Sequence, residues 1–350
     1  MADERREGEF EGWRLTGSAP AAGSSGGLAR DGGLLDRLAP PLLVGLAVTS
    51  GVLVTTQARL NGRLSDRLPG GAPHTLGHSV LAALISFGSG LAVAAVVVAA
   101  RRASRDGLRR LATVPWRLRI GGIGGAVQVT SQAAAVPTLG LSLFTITLVA
   151  SQTAGGLAVD RLGFGPSGRL RVTRRRLAGA VVAVVAVGLA ASGRGGGSLA
   201  WGALALVALA GVLVAAREAL NGRVRATVGD PWVASLVNFA AGTVVLVVAV
   251  AITAALGQLH ATRLPSTWWL YLGGACGVVF IAINAGVVHR LGVLGLVLGV
   301  VCGQLVSSLA LDALWPAAGT SVHPATVAGT ALTVLAVVVV ARAGPSAERP

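Results

Sequence analysis

The chain contains no lysine, and only 12% of its 350 residues are charged. The first absence removes the phosphate-cradling Gly-x-x-x-x-Gly-Lys loop, so hydrolysis of ATP by this chain is not expected. The second is more informative. A soluble domain carries roughly 25% charged residues to cover its surface, so much of this surface faces something other than water. Aromatic residues are also scarce, at 4%, with a single tyrosine, Tyr271. That argues against a nucleic-acid partner despite the net charge of +15. All the basic residues are arginines, almost all lying between apolar runs, and the aromatic side chains are not interleaved with them to stack on bases. The two cysteines, Cys276 and Cys302, fall inside apolar runs and lack the spacing of a metal cluster or disulfide framework. The five histidines (His74, His78, His260, His289, His323) are scattered over loops and span ends. An intramembrane enzyme would need clustered acids or metal-binding histidines, so neither catalysis, metal nor cofactor is expected. His74 and His78 are read as an unliganded loop pair.

What is present is hydrophobicity: 53% apolar residues and a mean hydropathy of +0.73. The runs are long enough for helices that span lipid and lack the alternation of barrel strands. The reading is an all-α integral membrane protein with ten transmembrane helices, at about 40–60, 78–100, 119–136, 139–160, 176–192, 198–220, 232–256, 267–288, 291–312 and 324–342. Prolines punctuate the intervening loops, Pro137 among them. Residues 1–37 are polar and Gly/Ser-rich and read as a disordered cytoplasmic tail, with 343–350 a second tail.

The chain repeats itself. Leu60-Asn61-Gly62-Arg63 recurs as Leu220-Asn221-Gly222-Arg223, an offset of 160. At an offset of 152, Phe87 and Gly90 match Phe239 and Gly242, Gly121-Gly122 matches Gly273-Gly274, Gln152 matches Gln304, and Asp160 matches Asp312. Two halves follow, 38–192 and 193–342. Five spans per half is an odd number, so the second half should be inverted relative to the first. Arginine placement agrees. With the N-terminus inside, 24 of the 29 arginines fall in cytoplasmic segments; the outside set is Arg59, Arg63, Arg67, Arg194 and Arg263. The positive-inside rule then puts both termini in the cytoplasm. Inverted repeats of this kind are the architecture of many secondary transporters, with the substrate site at the repeat interface.

The paired Leu-Asn-Gly-Arg motifs, Trp268–Gly274, and Gly303-Gln304-Leu305 leading to Asp312 resemble the drug/metabolite transporter superfamily, EamA-like. Within it the chain is similar to a bacterial branch that occurs as five-helix halves or, as here, a fused ten-helix form. The resemblance covers about residues 40–342. It implies a multi-pass inner-membrane protein that exports small organic metabolites by alternating access. The alternative is a non-transporting membrane scaffold or a channel-like protein.

Polar groups inside spans are costly and mark candidate pathways. Here they are Gln57, Asn61, Gln128, Gln132, Gln152, Glu218, Asn221, Asn238, Asn284 and Gln304. Gln128 and Gln132 share one helical face, and Gln152 with Gln304 is a mid-span amide repeated in both halves. Asn61 and Asn221 head Asn-Gly pairs and read as helix caps ending their spans. Glu218, whose counterpart is Ala58, breaks the symmetry and reads either as a proton- or cation-coupling acid or as a boundary residue paired with Arg217 or Arg223. Asp160 and Asp312 read as interface residues, and the glycine clusters Gly121–Gly125 and Gly273–Gly277 as sites of close helix packing. An amide-lined route without buried arginine points away from a strongly anionic cargo. The expected partners are the bilayer, a small-molecule substrate and a coupling proton or cation; a homodimer is left open.

Overall fold

The computed structural model describes residues 39–68, 75–164, 169, 172–192, 198–259, 263–316 and 322–342. The two tails expected at 1–37 and 343–350, and His74, lie outside the described residues. Within them the chain forms ten α-helices and no strand: α1 (Pro40–Arg67), α2 (Leu76–Ala100), the short α3 (Ser104–Leu111) and α4 (Trp116–Arg119), α5 (Gly122–Leu162), α6 (Arg174–Ser192), α7 (Ser198–Val228), α8 (Pro231–Ala255), α9 (Gly273–Leu314) and α10 (Pro324–Arg342). A 3₁₀ turn, Trp268–Leu272, leads into α9.

Local chemistry sets the boundaries. Proline opens α1 and α8, where its missing N–H costs nothing. Asp230 accepts from the Trp232 N–H at 2.7 Å and so caps α8. Thr75 does the same for α2 through the His78 N–H at 3.3 Å, which puts His78 in a buried first turn and not in a loop. Gly163, at φ 74°, closes α5 in the left-handed conformation that glycine adopts readily.

Among the described residues, six stretches are long and apolar enough to cross a membrane: Pro40–Arg67, Leu76–Ala100, Trp116–Leu162, Trp201–Val228, Pro231–Ala255 and Leu296–Leu314. Three shorter apolar helices are Arg176–Ser192, Trp268–Asn284 and Pro324–Val338. Exposed apolar side chains such as Val184 on α6 and Val244 on α8 suit a lipid-facing surface.

Three sequence expectations need correction. α5 has 41 residues, which at 1.5 Å each would be about 62 Å, twice the thickness of the hydrocarbon. It is divided not by a loop at Pro137, which lies inside the helix, but at Gly140, whose φ of 70° and ψ of 164° suit glycine alone. The Asn-Gly pairs end no helix either: α1 continues to Arg67 and α7 to Val228. Gly62 is there for space, since a Cβ on it would stand 3.2 Å from Val136. Finally, Arg59, counted with the outside arginines at the end of the first span, lies in the body of α1. It is 1% exposed.

Packing follows the repeat. α1 lies along α9 and α7 along α5, while α2 meets α8 and α6 meets α10. Exchanging the halves maps this set of pairs onto itself. The glycine contacts reproduce the exchange atom by atom. A Cβ on Gly51 would meet the Val300 carbonyl oxygen and the Gln304 nitrogen; one on Gly211 would meet the Leu148 carbonyl oxygen and the Gln152 nitrogen. Likewise Gly122 abuts the Asn238 carbonyl oxygen and Gly274 the Ser86 carbonyl oxygen. The glycine clusters are thus packing devices that let backbones touch.

The connections segregate to two ends. At one, Ser104 donates to Asp230 at 2.7 Å and Arg223 to the Gly163 carbonyl at 2.7 Å. At the other, Arg63 donates to the Pro316 carbonyl at 2.9 Å and lies over Trp315, while Arg67 lies over Trp269. Tryptophans at such positions suit a membrane interface.

Candidate functional site

Phe87 of α2 and Phe239 of α8 are repeat-equivalent and meet edge to face, with centroids 5.3 Å apart. Gly90 and Gly242 make room for them: a Cβ on Gly90 would lie 2.5 Å from the Phe239 ring, and one on Gly242 2.2 Å from the Phe87 ring. Polar groups flank the pair on both sides. A Cβ on Gly277 would stand 3.4 Å from Gln57 Oε1 and 3.5 Å from Phe239. The equivalent Gly125 faces Phe87 and the Arg217 side chain. Gln57 and Arg217 are themselves equivalent, at the 160-residue offset.

On the Arg217 side, Nη1 donates to Gln128 Oε1 at 2.7 Å and Nη2 to Glu218 Oε1 at 2.5 Å. The Arg217 side chain is 13% exposed and that of Glu218 57%, so the acid neutralises a largely buried cation from a wetter position. Asn221 donates to Asn238 at 3.1 Å. On the other side, Asn61 donates to Gln132 at 2.7 Å, both fully buried. Ser50 donates to Asn284 at 2.7 Å. Gln132 and Gln304 line a void of about 10 Å³ with Thr55, Ala58, Phe144 and Thr145, room for one water. Gln152 does not reach it.

The candidates therefore gather as two groups about the phenylalanine pair. Gln128 and Glu218 are bound to Arg217 on one side, with the Asn221–Asn238 bond in the same half-interface. Gln57 lies by Phe239 on the other side, where Asn61–Gln132, Ser50–Asn284 and Gln304 tie α1 to α5 and α9. Sequence reasoning missed Arg217 as a member, and it missed the partner of Arg59. Arg59 pairs with Asp312, and the Asp312 carboxylate also accepts from the N–H groups of Leu141, at 2.9 Å, and Ser142, at 2.6 Å. Both acids at span ends are thus paired, since Asp160 is bound by Arg176. Buried arginine is present after all, contrary to the expectation that the route lacks it. Among the described residues no group of three or more metal-ligating side chains occurs, and both cysteines are free.

Comparison with known proteins fits this arrangement. The chain matches the drug/metabolite transporter family described as "Putative inner membrane exporter, YdcZ" twice, over residues 42–189 and 202–339. The chain belongs to this family. The family model thus matches the chain as two repeats, one in each half. No curated protein matches the chain. A solved structure described only as "Crystal structure of protein" is 20% identical, with a TM-score of 0.53 over 85% of this chain and 97% of that one; the likeness extends to the fold. Family membership makes the chain a multi-pass inner-membrane protein of the exporter class, with the bilayer and a small-molecule substrate as its partners.

Proposed function

We propose that the chain is a secondary-active exporter of small organic metabolites that works by alternating access between two inverted five-helix halves, 38–192 and 193–342. The observation that carries this reading is the exchange of packing partners between the halves about Phe87 and Phe239. Two units that swap contacts across a shared axis can rock between two related arrangements, each opening the interface to one side. The count of ten spans follows if Trp116–Leu162 and Trp268–Leu314 each cross the membrane twice. The end where Ser104, Asp230, Gly163 and Arg223 meet also carries the arginine run 101–119. The positive-inside rule assigns that end, with both termini, to the cytoplasm.

The cargo passes between the halves beside the phenylalanine pair, where Gln57, Gln128, Asn221, Asn238 and Arg217 supply hydrogen bonds at low net charge. Asn61, Gln132, Asn284 and Gln304 lie along the continuation of this route, with Gln152 at the equivalent place beside α7. Glu218, half in solvent and bound to Arg217, is the acid placed to couple movement to a proton. A direct test compares metabolites released by cells producing the chain with those producing Gln128→Leu at equal membrane abundance. Wild-type cells should release at least one small metabolite faster. Identical profiles for wild type, variant and empty membranes would leave the exporter reading without support.

A further inference from the structure

Arg59 and Asp312 are among the least expected residues in the interior, at 1% and 3% exposed. Their hydrogen bonding is unequal. Asp312 is fully used: one carboxylate oxygen accepts from Arg59 Nη2 and the Leu141 N–H, the other from the Ser142 N–H. Arg59 is not. Its Nε and Nη1 are buried without a hydrogen-bond partner, as is the hydroxyl of Ser142 beside the same carboxylate. Buried donors without acceptors cost free energy, and a guanidinium offers five N–H bonds of which Asp312 takes one.

Arg59 and Asp312 cancel in charge, and the break at Gly140 ends one helical segment and starts another here, whose first N–H groups are taken by Asp312. What is left over at the site is unmatched donors and an unmatched hydroxyl. Arginine is the side chain suited to a planar carboxylate, which it can bind through two parallel hydrogen bonds. The feature belongs to one half only: the counterpart of Arg59 is Ala219, and Asp160 is bound instead by Arg176. Ala58, the chain neighbour of Arg59, and Phe144, two residues on from Ser142, border the one-water void that Gln132 and Gln304 line.

We propose that Arg59 is an anchoring point for a carboxylate group on the molecule carried, which competes with Asp312 for the guanidinium. This rests on the carrier reading and narrows its cargo to organic acids with one carboxylate near an otherwise uncharged body. Binding also has a mechanical consequence. Once Asp312 loses Arg59, its hold on the Leu141 and Ser142 N–H groups weakens, and the segment after Gly140 is freed to move.

The test uses the full chain purified in lipid nanodiscs, with benzoate and lactate as probes against benzamide and lactamide at matched ionic strength. Each acid should raise the apparent melting temperature with concentration, as ligand linkage requires, while its amide does not. Arg59→Gln should abolish the difference, and Asp312→Asn, which removes the competitor, should lower the benzoate concentration for half-maximal effect several-fold. Equal responses to acid and amide in the wild type overturn the proposal, and that comparison needs no variant to fold. A full acid response in Arg59→Gln overturns it too. Saturable flux of a neutral metabolite with no acid–amide difference would leave the carrier intact and remove only the carboxylate site. An acid response without any flux would do the reverse.

Discussion

Phe87 and Phe239 hold the same place in the two halves and stack on each other, edge to face at 63°. A residue that meets its own repeat-equivalent lies on the relation between the halves. The contacts around the rings, Gly90 against Phe239 and Gly242 against Phe87, obey the same exchange. At this point the interface between halves, which the α1–α9, α7–α5, α2–α8 and α6–α10 pairs all build, is aromatic and tightly fitted, with amides and one arginine at its flanks.

Substitution of either phenylalanine by alanine should destabilise the chain by about 3–5 kcal/mol, the usual cost of truncating a buried aromatic. The double variant should lose less than the sum, by about 0.5–1.5 kcal/mol, because the ring–ring interaction can be lost once only. Reversible unfolding in mixed micelles measures both quantities. Strict additivity would contradict the stacking.

The packing glycines give a sharper contrast. On Gly51 a methyl group would lie 2.1 Å from the Val300 carbonyl oxygen, whereas around Gly88 nothing stands within 4 Å. Gly51→Ala should therefore cost at least about 1–3 kcal/mol through forced separation of α1 and α9. Gly88→Ala, within α2, should be neutral or gain up to about 1 kcal/mol from helix propensity. Similar effects at both positions would mean that α1 and α9 are not in backbone contact.

Much of this was legible in the chain itself. Scarce charge and long apolar runs announce an all-helical membrane protein, the offsets of 160 and 152 its two repeats, and the glycine clusters close packing. The polar interior was less legible. Arg59 reads as an outside arginine at the end of the first span because Asn61-Gly62 looks like a stop signal. Gly62 is in fact needed for contact with Val136, and α1 runs on to Arg67. Among 50 glycines nothing in the sequence singles out Gly140 as the one that takes a positive φ inside α5. The bond from Arg217 to Gln128 joins residues 89 positions apart in different halves, a pairing that only the fold reveals.

The two span-end acids should respond unequally. Asp312 sits in a buried pair at 2% side-chain exposure, while Asp160 and Arg176 are 24% and 14% exposed. Asp312→Ala strands a buried guanidinium and two helix N–H groups, at a cost of about 3–5 kcal/mol. Asp160→Ala should cost well under half as much, since water can replace the lost partner. Unfolding measurements that found the two equal would argue against the asymmetry of the halves.

Glu218 offers a pH test. Its side chain is largely exposed and bound to Arg217, so Glu218→Gln should change stability by less than about 1 kcal/mol. Flux should nonetheless lose its dependence on the proton gradient while binding persists. A variant with wild-type gradient dependence would remove Glu218 from the coupling step.

The central claim is that cargo moves between halves that open alternately, and counterflow in proteoliposomes tests it most directly. Vesicles preloaded with unlabelled benzoate should transiently accumulate labelled benzoate above its equilibrium level, saturably, and Gln128→Leu should slow this without altering vesicle integrity. Label that equilibrates at the same rate with and without the preload, and without saturation, would contradict an alternating carrier and point to a channel.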